Sequence, residues 1–166
     1  MPLESFVVQA VIAGVFATAM LDLWQRLLHA VAGIPPANWA MIGRWFAYLP
    51  RGQMVHRPIG ATAEVRGELA LGWAMHYLIG LAYGFAYLGL LVYGLDRPPS
   101  LLNGAVVGAC SVVIPWFILQ PGLGIGVMGR KAAKPAVPML NALANHVVYG
   151  IALYGGTVLA LTLGHL

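Results

Sequence analysis

The chain has 166 residues, of which 60% are hydrophobic and 8% charged, with a mean hydropathy of +0.81, whereas ordinary soluble domains carry roughly 25% charged residues. A chain this small leaves much of its surface wet, so the composition excludes a soluble fold, and it excludes disorder, which needs low hydrophobicity and high net charge. A lone Cys110 excludes a disulfide scaffold, and the formal charge of +4 follows from the membrane topology and calls for no nucleic-acid partner.

Four apolar runs are predicted as membrane-spanning helices, at about residues 5–31, 67–95, 100–120 and 136–163. Each is long enough to cross a hydrocarbon core of roughly 30 Å. None alternates as a barrel strand would. Residues 1–166 are therefore expected to form one all-α domain, an integral membrane four-helix bundle in contact with the lipid bilayer. The opening MPLE brings an acid and no basic side chain, so the first run is expected to stay as a span rather than be cleaved at Ala17-Thr18-Ala19.

Pro35-Pro36 is expected to stop the first span. Asn38 then offers an N-cap, and Trp39, Ile42, Trp45, Phe46 and Leu49 recur at helical spacing. A short helix over about 38–49, lying in the membrane interface with Arg44 on another face, is predicted. The segment that follows, QMVHRPIGATAEVR, has no apolar period and reads as a loop. Asp96-Arg97-Pro98-Pro99 makes a tight turn between the second and third spans. Past the third span, PGLGIGVMGR lacks the strand context of a dinucleotide site and reads as a glycine-rich turn at the interface.

The nine basic residues are distributed unevenly. Arg44, Arg51, Arg57 and Arg66 belong to the first connection and Arg26 to the end of the first span that leads into it, Arg130, Lys131 and Lys134 to the third connection, and only Arg97 to the second. Positive charge accumulates on the cytoplasmic side, which places both termini in the periplasm of a bacterial inner membrane. Arg44, Arg51, His56, Arg57, Arg66, Arg130 and Lys131 are the candidate contacts for an anion or a lipid head group.

The stretches MLDLWQRLL, NWAMIGRWFAYLPRG, GELALGWAMHYLIG, LQPGLGIG and NHVVYGIALY, taken in this order, resemble an uncharacterised family of small bacterial inner-membrane proteins catalogued as a domain of unknown function. The resemblance covers nearly the whole chain. It implies a four-helix inner-membrane protein and no settled activity, so it assigns no catalytic residue.

Ionisable groups within a span cost at least about 2.5–3.5 kcal/mol near its centre and normally face protein or water. Asp22, His76 and His146 fall at one depth on three different spans, roughly 13–15 Å in at about 1.5 Å per residue. With Asn145, Gln120, Arg26 and His29 they make up a candidate buried polar site. Three readings stay open: a pathway for a small solute, proton or ion; a transition-metal centre on Asp22, His76 and His146, or less readily a haem; and interhelical hydrogen bonding in a structural subunit. The metal reading would make an enzyme acting on a lipid-soluble or anionic substrate. Glycines spaced by four, Gly80/Gly84 and Gly104/Gly108, allow close helix approach within the chain or across a homo-oligomer.

Overall fold

The computed structural model describes residues 1–164; residues 165 and 166 of the expected domain lie outside the described residues. Five principal helices form: α1 (Leu3–Ala32), α2 (Trp39–Tyr48), α3 (Glu68–Gly89), α4 (Leu101–Ser111) and α5 (Ala136–Leu163). No strand occurs among the described residues. Four helical stretches are long and apolar enough to cross a membrane, Leu3–Ala32, Glu68–Gly94, Leu101–Gly122 and Ala136–Leu163. They match the four runs expected from hydropathy and fit a multi-pass membrane protein. Two of the four are not regular throughout. A π turn (Leu90–Gly94) extends α3, and another (Pro115–Leu119) leads from α4 to a last turn at Gln120–Gly122. Pro115 has no amide to bond back to the Ser111 carbonyl, which is why the third span loses its regular ladder there.

The chain divides into two compact units, each assembled from separated stretches. The first comprises Met1–Pro36, Tyr77–Cys110 and Asn145–Leu166. Small side chains on one stripe of α1 (Ala10, Ala13, Gly14, Ala17 and Thr18) are all buried. They let neighbouring backbones approach, the main source of helix association where lipid is as apolar as leucine. A Cβ on Gly14 would lie 2.7 Å from the Gly80 carbonyl oxygen, and one on Gly84 would collide with the Ala10 carbonyl. On α4, a Cβ on Gly104 would meet the carbonyl of Gly150, and one on Gly108 that of His146. The helical stretches of this unit thus pack as a bundle through backbone contact, and both glycine pairs face partners within the chain. Of the two alternatives left open for Gly80/Gly84 and Gly104/Gly108, the contacts are those of packing within the chain, and these faces are not left bare for a second protomer. Tyr87, Leu88, Leu91, Tyr149 and Leu153 fill the rest of the core. Two buried hydroxyls are satisfied by backbone carbonyls, Thr18 donating to that of Gly14 (2.8 Å) and Tyr149 to that of Gly80 (3.0 Å), whereas the Tyr87 hydroxyl is buried without a hydrogen-bond partner.

The second unit comprises Ala37–His76 and Ser111–Ala144. Asn38 caps α2 as expected, its Oδ1 accepting from the Met41 amide at 3.1 Å. This helix is packed closely against its neighbour in the chain. Gly43 sits against the Glu68 carbonyl and Gly72 against the Trp39 carbonyl, so α2 packs backbone to backbone on the start of α3. The following loop is ordered. The amides of His56 and Ile59 donate to the carbonyls of Gly122 (2.9 Å) and Leu123 (3.0 Å), and both side chains are buried. Trp45 is buried too, and its indole donates to the Met54 carbonyl at 2.8 Å.

Candidate functional site

Within the first unit, the intramembrane polar groups form separate contacts. The Tyr77 hydroxyl lies 3.4 Å from Asp22 Oδ2. The Trp24 indole donates to Asn145 Oδ1 at 3.0 Å. Gln25 is buried, Asp22 and His146 are half-buried, and Arg26 and His29 are exposed. The two exposed groups do not contribute to a buried site. Their place near the loop end of α1 lets them reach polar surroundings.

In the second unit His76 is buried and stacked on Trp39, ring centres 3.9 Å apart, with Trp73 edge-on at 5.7 Å. Among the described residues no group of three or more His, Cys, Asp or Glu side chains is placed to hold a metal ion. The metal centre expected on Asp22, His76 and His146 is therefore not seen: Asp22 and His146 belong to the first unit and His76 to the second, and a count of residues along each helix does not fix which way a side chain turns.

Gln120 is the site residue with the most defined geometry. Its Nε2 donates to the Pro138 carbonyl at 3.1 Å, which fixes the amide orientation, because a carbonyl cannot accept from Oε1. Gln120 Oε1 is left buried with no protein partner, and so is Asn141 Oδ1 on α5. Trp116, one turn before Gln120, donates from its indole to the Met139 carbonyl at 3.2 Å, tying the same two segments together. Buried acceptors without a donor are uncommon. Two of them occur on adjoining segments beside the irregular π turn.

The loop cations divide into two classes. Arg44 is only 5% exposed. Its Nε donates to Glu68 Oε2 (2.8 Å), its Nη2 to Glu68 Oε1 (2.7 Å) and its Nη1 to the Thr62 carbonyl (2.8 Å). Hydrogen bonding to Glu68, reinforced by the nearby negative charge and opposed by desolvation, holds this guanidinium above its already high ordinary range. Arg44 is thus an internal clamp rather than an anion contact, because its donors are already occupied. Arg51 lies over the Tyr48 ring, 4.8 Å from its centre, and Arg57 and Arg66 are exposed.

His56, Arg130 and Lys131, by contrast, meet at one cavity of about 340 Å3 in the second unit, walled also by Pro121, Gly124 and Gly126. The glycine-rich turn makes this wall. Gly124, Gly126 and Gly129 have φ of +89°, +79° and +71°, which L side chains rarely adopt. Gly124 also lies close against the His56 carbonyl, where a Cβ would come within 2.5 Å of the oxygen. Two participants escaped sequence reasoning. Glu68 is separated from Arg44 by 24 residues, and its only signal was an acid opening an otherwise apolar span. Asn141 was visible as a polar residue, but its lack of a partner was not.

The chain matches no curated protein and no solved structure. A family model described as protein of unknown function (DUF2938) matches residues 11–160. That match takes in most or all of each of the four helices long and apolar enough to cross a membrane, the Arg44–Glu68 clamp and the glycine-rich turn, and the chain belongs to this family.

Proposed function

We propose that this protein is a small inner-membrane protein that binds a small solute, proton or ion at polar groups inside its spans and passes it across the membrane. The observation that carries the reading is the orphaned Gln120 Oε1, buried beside a break in the third span and joined by the orphaned Asn141 Oδ1. Two amide oxygens lacking donors call for water, a protonated species or a small cation. Interrupted helices with polar side chains at membrane depth are how transporters commonly build such sites. The charge asymmetry of the connections supports a bacterial inner-membrane setting with the first and third connections in the cytoplasm and both termini in the periplasm.

The test is flux in proteoliposomes holding an internal pH dye, driven by a potassium diffusion potential, with sodium and potassium uptake measured in parallel. Flux above protein-free vesicles is expected for at least one of the three ions. Gln120→Met and Asn141→Leu, each checked for monodisperse folded protein, should lower it by about tenfold, the effect of losing one buried polar contact of about 1.4 kcal/mol. No flux for any ion, or flux that both substitutions leave intact, would refute the reading.

A further inference from the structure

The cavity at the glycine-rich turn lies outside the polar groups just discussed. Its chemistry is that of an oxyanion receptor. Arg130 and Lys131 stand on its wall, both with exposed side chains, and no carboxylate is among the residues lining it. The backbone hydrogen bonds that fold the turn engage the amides of Gly124, Ile125, Gly129, Arg130 and Lys131. Gly126 and Val127 also line the cavity, and their amides are not among those bonds. Successive amides around positive-φ glycines commonly form anion-binding concavities.

The decisive group is His56. It is 2% exposed, it lines the cavity, and its Nε2 is buried with no protein partner. Its Nδ1 faces the Thr62 hydroxyl at 2.9 Å and the Gln53 amide nitrogen at 3.4 Å. An amide nitrogen only donates and a hydroxyl can donate, so Nδ1 is the acceptor and the ring proton sits on Nε2. In its neutral form the imidazole thus carries an unused donor on a residue that lines the same cavity as two cations. Burying an unanswered donor is costly. A metal ion would be repelled by Arg130 and Lys131 and would find a protonated nitrogen, so a cation is the wrong occupant. A ligand rich in acceptor oxygens and negative charge satisfies all three side chains. The volume lies at the small end of the roughly 300–1,000 Å3 span of ligand sites, which suits a head group rather than an extended molecule.

We propose that this cavity binds a phosphate monoester or free phosphate, held by Arg130 and Lys131 as counter-charges and by His56 Nε2–H as the buried donor. The loop around it contains Gly122, which packs against the Trp45 ring, so the receptor is built on the α2 framework rather than on a free loop.

The full chain in phosphatidylcholine nanodiscs is titrated calorimetrically with inorganic phosphate, with chloride as control. Parallel nanodiscs contain a minor fraction of phosphatidic acid or of phosphatidylglycerol, and lipid retained by the protein is read by native mass spectrometry. Saturable phosphate binding identifies the free ion as ligand. Selective retention of phosphatidic acid over phosphatidylglycerol identifies a lipid head group. In whichever arm binds, the Arg130→Gln/Lys131→Gln variant should weaken affinity by about tenfold or more, as expected for lost charge-assisted hydrogen bonds. His56→Gln, which moves the donor, should weaken it too, whereas Arg97→Gln in the second connection should not. The Arg/Lys variant alters exposed side chains only, so it keeps the test valid if His56→Gln fails to fold. Absence of binding in both arms, equal retention of the two anionic lipids, or affinity untouched by the Arg130/Lys131 substitutions would overturn the proposal.

Discussion

Replacing Arg44 by methionine tests the clamp that fastens α2 to the start of α3. The substitution keeps the unbranched stem but removes two charge-assisted hydrogen bonds to Glu68 and one to the Thr62 carbonyl. It leaves the Glu68 carboxylate, whose side chain is only 13% exposed, with the Val65 amide at 2.9 Å. Stripping one partner from a buried ion pair costs about 3–5 kcal/mol. Glu68 keeps one hydrogen bond and some water, so the lower end applies, and Arg44→Met should destabilise by about 3 kcal/mol. Most of that cost is the stranded carboxylate. A double variant, Arg44→Met with Glu68→Leu, removes it and should recover about half of the loss, since a buried pair is often little better than apolar groups of similar size. Glu64 also lies near Arg44, at 3.3 Å, but its side chain is 85% exposed, and Glu64→Ala should stay within about 0.5 kcal/mol of the parent. Reversible unfolding in mixed micelles by rising SDS fraction, followed by far-ultraviolet circular dichroism, supplies the free energies of the parent, of these three variants and of Glu68→Leu alone, which completes the cycle. Strict additivity of the Arg44 and Glu68 changes, or an Arg44→Met protein as stable as the parent, would show that the clamp does not hold the helices.

The same unfolding assay separates crowded glycines from open ones. Gly84→Ala and Gly108→Ala place a methyl group into the carbonyls of Ala10 and His146 and should each cost about 1–3 kcal/mol. Gly89→Ala meets only the Phe6 ring, at 3.9 Å, and should be neutral or stabilising by up to about 1 kcal/mol through helix propensity; equal effects at all three positions would disprove the backbone-contact account. Topology is checked in a Cys110→Ser background with an impermeant maleimide. Arg57→Cys should react from the cytoplasmic side and Arg97→Cys from the opposite one, and labelling of both from one face would contradict the charge-based orientation.

The four spans and the short helix were legible because each rests on a one-dimensional signal. Uninterrupted apolar length sets a span, and Asn38 followed by apolar residues at helical spacing sets α2. What failed to show depends on which way a side chain turns and what it meets far along the chain. Arg44 on the polar side of an apolar stripe reads as solvated until Glu68 is brought to it. Gly80/Gly84 says that two backbones approach, without saying whose. Asp22, His76 and His146 are expected at one depth from the sequence, but such a depth counts residues along an axis and leaves the angle around it unspecified. The loop holding His56 lacked any apolar period for a different reason. It is held by backbone amides donating to the Gly122 and Leu123 carbonyls, an arrangement that imposes no side-chain pattern. Its burial is visible only in the partner stretch, as a run of glycines that must let another chain segment come close. A glycine cluster after an apolar helix therefore carries information about the loop it receives, and Gly124 could have pointed to the ordered His56 segment that the segment's own residues concealed.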